Sequence, residues 1–162
     1  MLACVSAGGV GRLRAMMPSL PVSDLSQLIR SMEPLLNEGV YVFACVPEVK
    51  KDADTTPSFF SVAESPGVIA VFREREGWSV IAEESVARRL GLRVVFRAAW
   101  ITLTVHSDLA AVGLTAAFSR VLAEAGISCN VVAGVRHDHI FVPVERAADA
   151  MAALRRLQTG KS

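Results

Sequence analysis

The second half of the sequence alternates strand and helix patterns in an order that few folds accommodate. The stretch GLTAAFSRVLAEAG (residues 113–126) has apolar residues at helical spacing and ends at a glycine that can terminate a helix. The β-patterned runs RVVFRAAWITLTVHS and ISCNVVAGV flank it, and HIFVPV and the helical ERAADAMAALRRL follow. The order β-α-β-β-α predicts an α+β domain with both helices on one face of an antiparallel sheet. The other face is left free for a second unit to pack or pair beside it.

The first half opens with a predicted helix. Apolar residues at helical spacing cover Leu25–Leu36, Ser23 or Asp24 can cap its start, and Gly39 can end it. Pro34 argues against a straight helix through this stretch, because proline removes a backbone donor and clashes with the preceding turn.

The remainder of the first half repeats part of the second. Val40–Val46 is predicted to be a buried strand, Pro47–Pro66 a long polar connection, and GVIAVFRERE with WSVIAEE a hairpin before a short helix ended by Gly91. WSVIAEESVARRL also aligns loosely with IFVPVERAADAMAAL. We therefore predict an internal repeat of two ferredoxin-like βαββαβ units.

Composition and charge exclude several classes of function. With 162 residues, 52% of them apolar, the chain has ample material for one mid-sized domain or two small units that share a core. Its net charge of +1 and the lack of a basic stripe argue against nucleic-acid binding. No apolar run reaches ~18 residues, so we expect no membrane span.

The cysteines and the N-terminal residues indicate the cellular compartment in which the protein is expected. Cys4, Cys45 and Cys129 form no CxxC pair, and the last two lie in apolar runs, which indicates small core residues in a reducing compartment. We therefore predict a cytoplasmic protein. Residues 1–20 lack the apolar centre of a signal peptide and are predicted to be a flexible or mis-assigned leader.

The segment His137-Asp138-His139 poses the main chemical question. A zinc site needs three or four ligands, and the only other histidine is His106, with no suitably spaced cysteine. We therefore interpret Asp138 as a turn residue between two strands and the flanking histidines as strand-end residues. This predicts neither a metal site nor a cofactor. No recognisable catalytic motif is found either, which predicts a protein that is not an enzyme.

The stretch from Ile101 to Leu157 resembles the ACT domain, a small-molecule regulatory module of amino-acid metabolism. Within that family, the stretch most resembles the paired ACT units of aspartate kinases and of cytosolic arginine sensors. Residues 25–157 as a whole resemble a bacterial family of stand-alone tandem ACT proteins, on the stretches FREREGWSV, ITLTVHS, AVGLTAAFS and GISCNVVAG. The resemblance implies a ferredoxin-like fold that binds an amino acid between two units.

In that family the ligand lies between the loop after the first strand and the start of a neighbour's second strand. Carried over by position, the implied ligand-binding residues are His106, Asp108, Val112, Gly113, Leu114, Thr115, Ser128 and Asn130. Free N–H groups after Gly113 would favour a carboxylate, Asp108 would pair with an ammonium, and Asn130 would both donate and accept. Each has a structural alternative. Gly113 would only open the helix, Asp108 would cap it, and Asn130 would satisfy a neighbouring strand.

The chain departs from the family pattern at its end. The second unit lacks a fourth strand, and we predict that a strand from the other half fills the vacancy, so that the two units share one sheet. The predicted organisation is a leader (1–20), an N-terminal ACT-like unit (21–98) and a C-terminal ACT domain (99–162).

The resulting functional hypothesis is a homodimeric amino-acid sensor that passes its signal to a regulated enzyme. Two alternatives stay open. One is a ligand-free dimerisation or interaction module, and the other is a His-based metal-binding protein.

Overall fold

The computed structural model describes residues 22–46 and 62–160. The predicted leader and most of the predicted 47–66 connection lie outside the described residues. In chain order the elements are α1 (Leu25–Ser31), β1 (Pro34–Leu36), β2 (Tyr41–Cys45), β3 (Val68–Glu74), β4 (Gly77–Glu83), α2 (Glu84–Arg89), β5 (Arg93–Leu103), α3 (Leu114–Glu124), β6 (Asn130–Ala133), β7 (Asp138–Pro143), a 3₁₀ turn (Val144–Arg146) and α4 (Ala147–Thr159).

The seven strands of the described residues form one antiparallel sheet that is organised around β5. The strand order is β3-β4-β2-β5-β7-β6, and β1 also pairs with β5. Residues 93–98 of β5 pair with β2, whereas residues 98–103 pair with β7 on the opposite edge. The edge that β2 leaves at residue 98 is taken up by β1, which pairs with residues 101–103. The 11-residue strand β5 therefore serves two neighbouring sets of strands.

These pairings divide the sheet into two ferredoxin-like units. In space, the first unit has the strand order β5-β2-β4-β3 and the second has the order β1-β5-β7-β6. In the sequence, β5 follows the other strands of the first unit and precedes β6 and β7 of the second, so the two units share it. The predicted α+β fold of two units sharing an antiparallel sheet is confirmed. The fourth strand of the second unit is supplied by β1, which precedes the first unit in the chain.

The predicted helix Leu25–Leu36 is wrong in its second half. Asp24 does cap the helix, because its Oδ1 accepts a hydrogen bond of 2.8 Å from the amide of Gln27. The helix ends at Ser31, and residues 34–36 form β1 instead. Pro34 disfavours helical geometry at the residue before it, and the freed segment gains a strand partner in β5. Gly39 accordingly does not end the helix; it lies in the connection from β1 to β2 with φ +95°.

The helices cover one face of the sheet with two apolar cores. In the second unit α1, α3 and α4 pack on β5 and β7, and Phe118, Leu122 and Leu154 are fully buried there. In the first unit α2 packs on β2 and β4 through Val86 and Ala87. The apolar residues predicted at helical spacing in α3 thus face the core, and α4 faces it with Ala150, Met151 and Leu154.

The opposite face of the sheet is also buried, because residues of both units pack together there. Phe141, Ile81, Ala98 and Tyr41 are buried there in a third cluster. Residues of β3 and of β6, at the two ends of the strand order, both pack against this cluster. The sheet is therefore curled, and its concave face forms an aromatic core in which Phe43 and Phe141 meet edge to face at 5.4 Å.

Phe141 fills the centre of this concave core, so its truncation should be costly. We expect Phe141→Ala to lower the free energy of unfolding by about 3–5 kcal/mol, because it removes a fully buried ring and leaves a cavity. Phe72→Ala is the matched control, since Phe72 on β3 is 43% exposed and should cost less than about 1 kcal/mol. Urea denaturation of both variants measures the difference, and equal losses would contradict a curled sheet with a packed concave face.

Candidate ligand-binding site

The loop between β5 and α3 (residues 104–113) carries half of the residues predicted to bind a ligand, and two more lie in the first turn of α3. Its start is fixed by the segment before α1. The amide of Val22 donates to the carbonyl of His106 at 2.9 Å, and the amide of Asp108 donates back to the carbonyl of Val22 at 3.0 Å. Val22 and Ser107 thereby form a short parallel pairing. The loop is held at its base and exposed at Leu109 and Val112.

Asp108 closes a turn inside this loop. Its Oδ1 accepts a hydrogen bond of 2.9 Å from the amide of Ala110, and its carbonyl accepts one of 2.9 Å from Ala111. The alternative that Asp108 caps α3 is wrong, because the N-cap position is Gly113. The Asp108 carboxylate is only partly buried, and its other oxygen keeps room for a second partner.

Gly113 opens α3 in a conformation that favours glycine. Its φ is +106°, and a Cβ at this position would lie 2.9 Å from Cδ2 of Leu25. Leu25 of α1 therefore packs over the helix start and fills part of the space that a ligand could use. No side chain caps the first turn of α3, so its N–H groups remain available to an acceptor. Thr115 is exposed in that turn, and Leu114 is buried in the core.

Ser128 and Asn130 lie at the opposite end of α3. Both follow its C-terminus and are exposed, and Asn130 begins β6, where it pairs with Phe141. Since a helix rises about 1.5 Å per residue, the 11 residues of α3 separate its ends by roughly 16 Å. One chain therefore brings together His106, Asp108 and residues 112–115, but it does not bring Ser128 and Asn130 to them.

Asp138 is a residue near the loop that the sequence interpretation missed. It is the first residue of β7 rather than a turn residue, and it is only 7% exposed. Ser107 Oγ donates a long hydrogen bond of 3.4 Å to its Oδ2. Burial raises the pKa of this carboxyl, while the Ser107 hydrogen bond and the two neighbouring histidines act to lower the pKa.

The burial of Asp138 could have been deduced from strand alternation. Ile140 and Val142 are fully buried, and side chains two apart in a strand share a face. Asp138 therefore lies on the helix-covered face, where it pairs with the buried Leu103. The turn itself is formed before it, and the amide of Gly134 donates to the carbonyl of His137 at 2.9 Å.

The two histidines beside Asp138 have separate partners. His137 Nδ1–H donates to the carbonyl of Val105 at 3.3 Å. His139 lies on the concave face, where Trp100 Nε1–H donates to its Nδ1 at 3.1 Å. Among residues 22–46 and 62–160, no three histidine, cysteine, aspartate or glutamate side chains are grouped so that they could hold a metal ion.

Two surface grooves in the described part of the chain lie away from the predicted residues. One of about 540 Å³ runs between α3 and α4 and is lined by Val121, Arg156 and Leu157, among others. A second, of about 560 Å³, lies beside the β1–β2 connection and is lined by Glu38, Glu83 and their neighbours. Neither groove is lined by a residue of the predicted site.

The matches to known protein families agree with the division of the sheet into two units. A model of the ACT domain matches residues 21–99, and a second ACT domain model matches residues 95–156, so the matches overlap within β5. A Vibrio cholerae protein of unknown function, described as a possible transport protein, is 45% identical with a TM-score of 0.66 over 83% of this chain and 95% of that chain.

Two more distant structures share the fold. An Agrobacterium tumefaciens protein is 16% identical with a TM-score of 0.58, over 78% of this chain and 89% of that one. The regulatory subunit of aspartate kinase from Thermus thermophilus, in its ligand-free form, is 12% identical with a TM-score of 0.54, over 77% of this chain and 97% of that one. A search of curated proteins gave no match. None of the described helices is long and apolar enough to cross a membrane.

The buried Asp138 predicts a pH-dependent stability. Because the folded state raises the pKa of this carboxyl, its stability falls as pH rises from the ordinary value of 3.8 through the folded-state pKa. We expect Asp138→Asn to raise the free energy of unfolding at neutral pH, because the neutral amide avoids the cost of burying a charged carboxylate. The gain should vanish below the ordinary carboxyl pKa.

Denaturation curves measured at neutral and acid pH test this expectation. Glu124→Gln, at an exposed carboxyl on α3, is the control and should change stability little at either pH. A loss of stability in Asp138→Asn at neutral pH would show that the charged carboxylate is needed for folding, which is the opposite of what burial predicts.

Proposed function

Because the chain belongs to the ACT domain family, we propose that it is a non-enzymatic regulatory protein that binds an amino acid or a similar small metabolite. The tandem of two matched ACT domains supports a regulatory ligand-binding role. The fold shared with a regulatory subunit of aspartate kinase agrees with it. The ligand would act by changing how ACT units pack, and a regulated enzyme would read that change.

The proposed site is built from two protomers. The loop 104–113 of one chain provides one side, and Ser128 and Asn130 of a second chain provide the other. Support comes from the separation of these groups at opposite ends of α3 within one chain. It also comes from β6, an edge strand whose outer backbone groups can pair with a second sheet. Antiparallel pairing of two β6 edges would bring the start of one β6 to the loop end of its partner, in a homodimer.

The chemistry of this loop suits a zwitterion. The uncapped first turn after Gly113 offers N–H groups and the positive end of the helix dipole to a carboxylate. Asp108 offers a partly exposed carboxylate to an ammonium, and the buried Asp138 adds a second one beside Ser107. The side-chain amide of Asn130 can donate and accept at once. The uncapped helix start within an exposed loop is the observation on which the proposal rests.

A ligand-free interaction module is the second candidate. Val112 is 85% exposed and Val135 is 77% exposed, and the two lie in loops at the same end of the second unit. Exposed apolar side chains of this kind favour self-association or docking to another protein. They would do so without any metabolite.

The free thiols support a proposal for the cellular compartment. Cys45 and Cys129 are half-buried and unpaired in the described part of the chain. We infer a reducing, cytoplasmic setting, since free cysteines in partly buried positions suit such a compartment.

A thermal-shift screen with amino acids and related metabolites tests the sensing proposal. A ligand at 100 times its dissociation constant should stabilise the protein by about 2.7 kcal/mol, a rise in Tm of roughly 5–10 °C. Asp108→Asn keeps an oxygen for the Ala110 amide but removes the charge, and Asn130→Ala removes the amide. Each should abolish the shift while the apo protein keeps its Tm, whereas the controls Glu64→Gln and Gln158→Ala, at positions outside the proposed site, should retain it.

Mixing the two inactive variants tests whether the site spans two protomers. A heterodimer of Asp108→Asn and Asn130→Ala contains one site with both changes and one site with neither. Refolding the two together should therefore restore a ligand-induced shift in part. No rescue would place the site within one protomer, and no shift of the wild type with any metabolite would favour the ligand-free module.

A further inference from the structure

A chain of polar side chains crosses the concave face at the place where β1 joins β5. Asn37 Nδ2 donates to Thr102 Oγ1 at 3.0 Å and to the carbonyl of Trp100 at 3.2 Å. Thr102 Oγ1 lies 3.3 Å from His139 Nδ1, and Trp100 Nε1–H donates to the same nitrogen at 3.1 Å. These hydrogen-bonded side chains thus link the β1–β2 connection to β5 and β7.

The donors in this chain determine the state of the imidazole. An indole N–H and an amide NH₂ can only donate, so His139 Nδ1 must accept from Trp100. The Thr102 hydroxyl accepts from Asn37 and keeps its own hydrogen to donate to the same Nδ1. His139 is therefore neutral, with its proton on Nε2. Gly134 leaves room for that side of the ring, since a Cβ there would lie 3.2 Å from Nε2.

The indole of Trp100 connects this chain to the concave core. It meets Tyr41 edge to face at 5.0 Å and stacks on Phe141 at 6.0 Å. Its backbone carbonyl accepts from both the side chain and the amide of Asn37, the latter at 2.9 Å. Trp100 therefore joins the aromatic core to the segment that follows β1.

We propose that His139 is a proton-operated switch that controls the hydrogen bond of Trp100 and, through it, the attachment of β1. A protonated imidazole carries hydrogen on both nitrogens and cannot accept. The Trp100 N–H then loses its acceptor. The Thr102 hydroxyl can no longer donate to His139 Nδ1 and must accept from it instead. The indole shifts within the concave core, and the contacts of Asn37 with Trp100 and Thr102 weaken.

The groups around His139 set the range in which the switch operates. Burial is the largest effect and lowers the pKa of His139, His137 lowers the pKa further, and Asp138 on the same strand raises it. The residues that face it from β5 and β6, Trp100, Thr102 and Val132, carry no charge. The network is therefore complete above the ordinary histidine pKa of 6.5 and is lost as pH falls through the lower folded-state pKa.

Fluorescence of Trp100 reads the switch directly. The chain has two tryptophans, so Trp78→Phe leaves Trp100 as the single emitter and keeps a ring for Arg73. Emission recorded from neutral pH to about pH 4.5 should change with one proton titration. Its midpoint should coincide with that of the His139 ring followed by NMR in the same protein, and the Nδ1 signal should show an unprotonated nitrogen at neutral pH.

Variants and amide exchange distinguish this switch from general acid effects. His139→Asn places an oxygen near the Nδ1 position that accepts from Trp100 but does not titrate, so its emission should be flat, whereas His137→Asn should keep the transition. The Asn37 amide should lose protection across the same transition in proteins that retain His139, and should keep its protection in His139→Asn. A transition that persists in His139→Asn, a protonated Nδ1 at neutral pH, or an Asn37 amide with constant protection would overturn the proposal.

Discussion

The pairing of β5 on both of its edges is the constraint on which the rest of the structure depends. Residues 93–98 hold β2, residues 98–103 hold β7, and the remaining edge at residues 101–103 holds β1. A strand of ordinary length would serve only one sheet of four strands. Because β5 is 11 residues long, the two units share this strand, and the sheet curls far enough to bury Phe141 on its concave side.

Local signals in the sequence predicted most of the elements. Gly91 and Gly126 end their helices with φ of +64° and +66°, and the apolar stripes of α3 and α4 are the buried ones. The exception is residues 32–36, whose apolar spacing fits a helix until Pro34 breaks it. Their strand partner lies more than sixty positions away in β5, and no local sequence pattern predicts such a pairing. The curl that closes the concave face is likewise set by the complete sheet and is not predicted by any local pattern.

The candidate site was predictable in part because loop and helix start are adjacent in the sequence. The family order placed Asp108 and Gly113 in one loop, and the structure keeps them in one loop. The order of residues in the family does not show that Asn130 lies at the far end of α3, because that separation arises from the rise of the helix. The interpretation of Asp138 as a turn residue is wrong, because the alternation with Ile140 and Val142 determines its position more strongly than the preference of aspartate for turns. A binding site divided between protomers would make ligand affinity and self-association depend on each other.

Native-state hydrogen exchange tests most directly whether β5 makes the two units one cooperative structure. If the shared strand β5 holds the two units together, amides of β4 in the first unit and of β7 in the second should open with the same free energy, equal to that of global unfolding. If the β4 amides exchange at a clearly lower free energy while those of β7 stay protected, the first unit unfolds alone. That result would contradict a single sheet held together by β5.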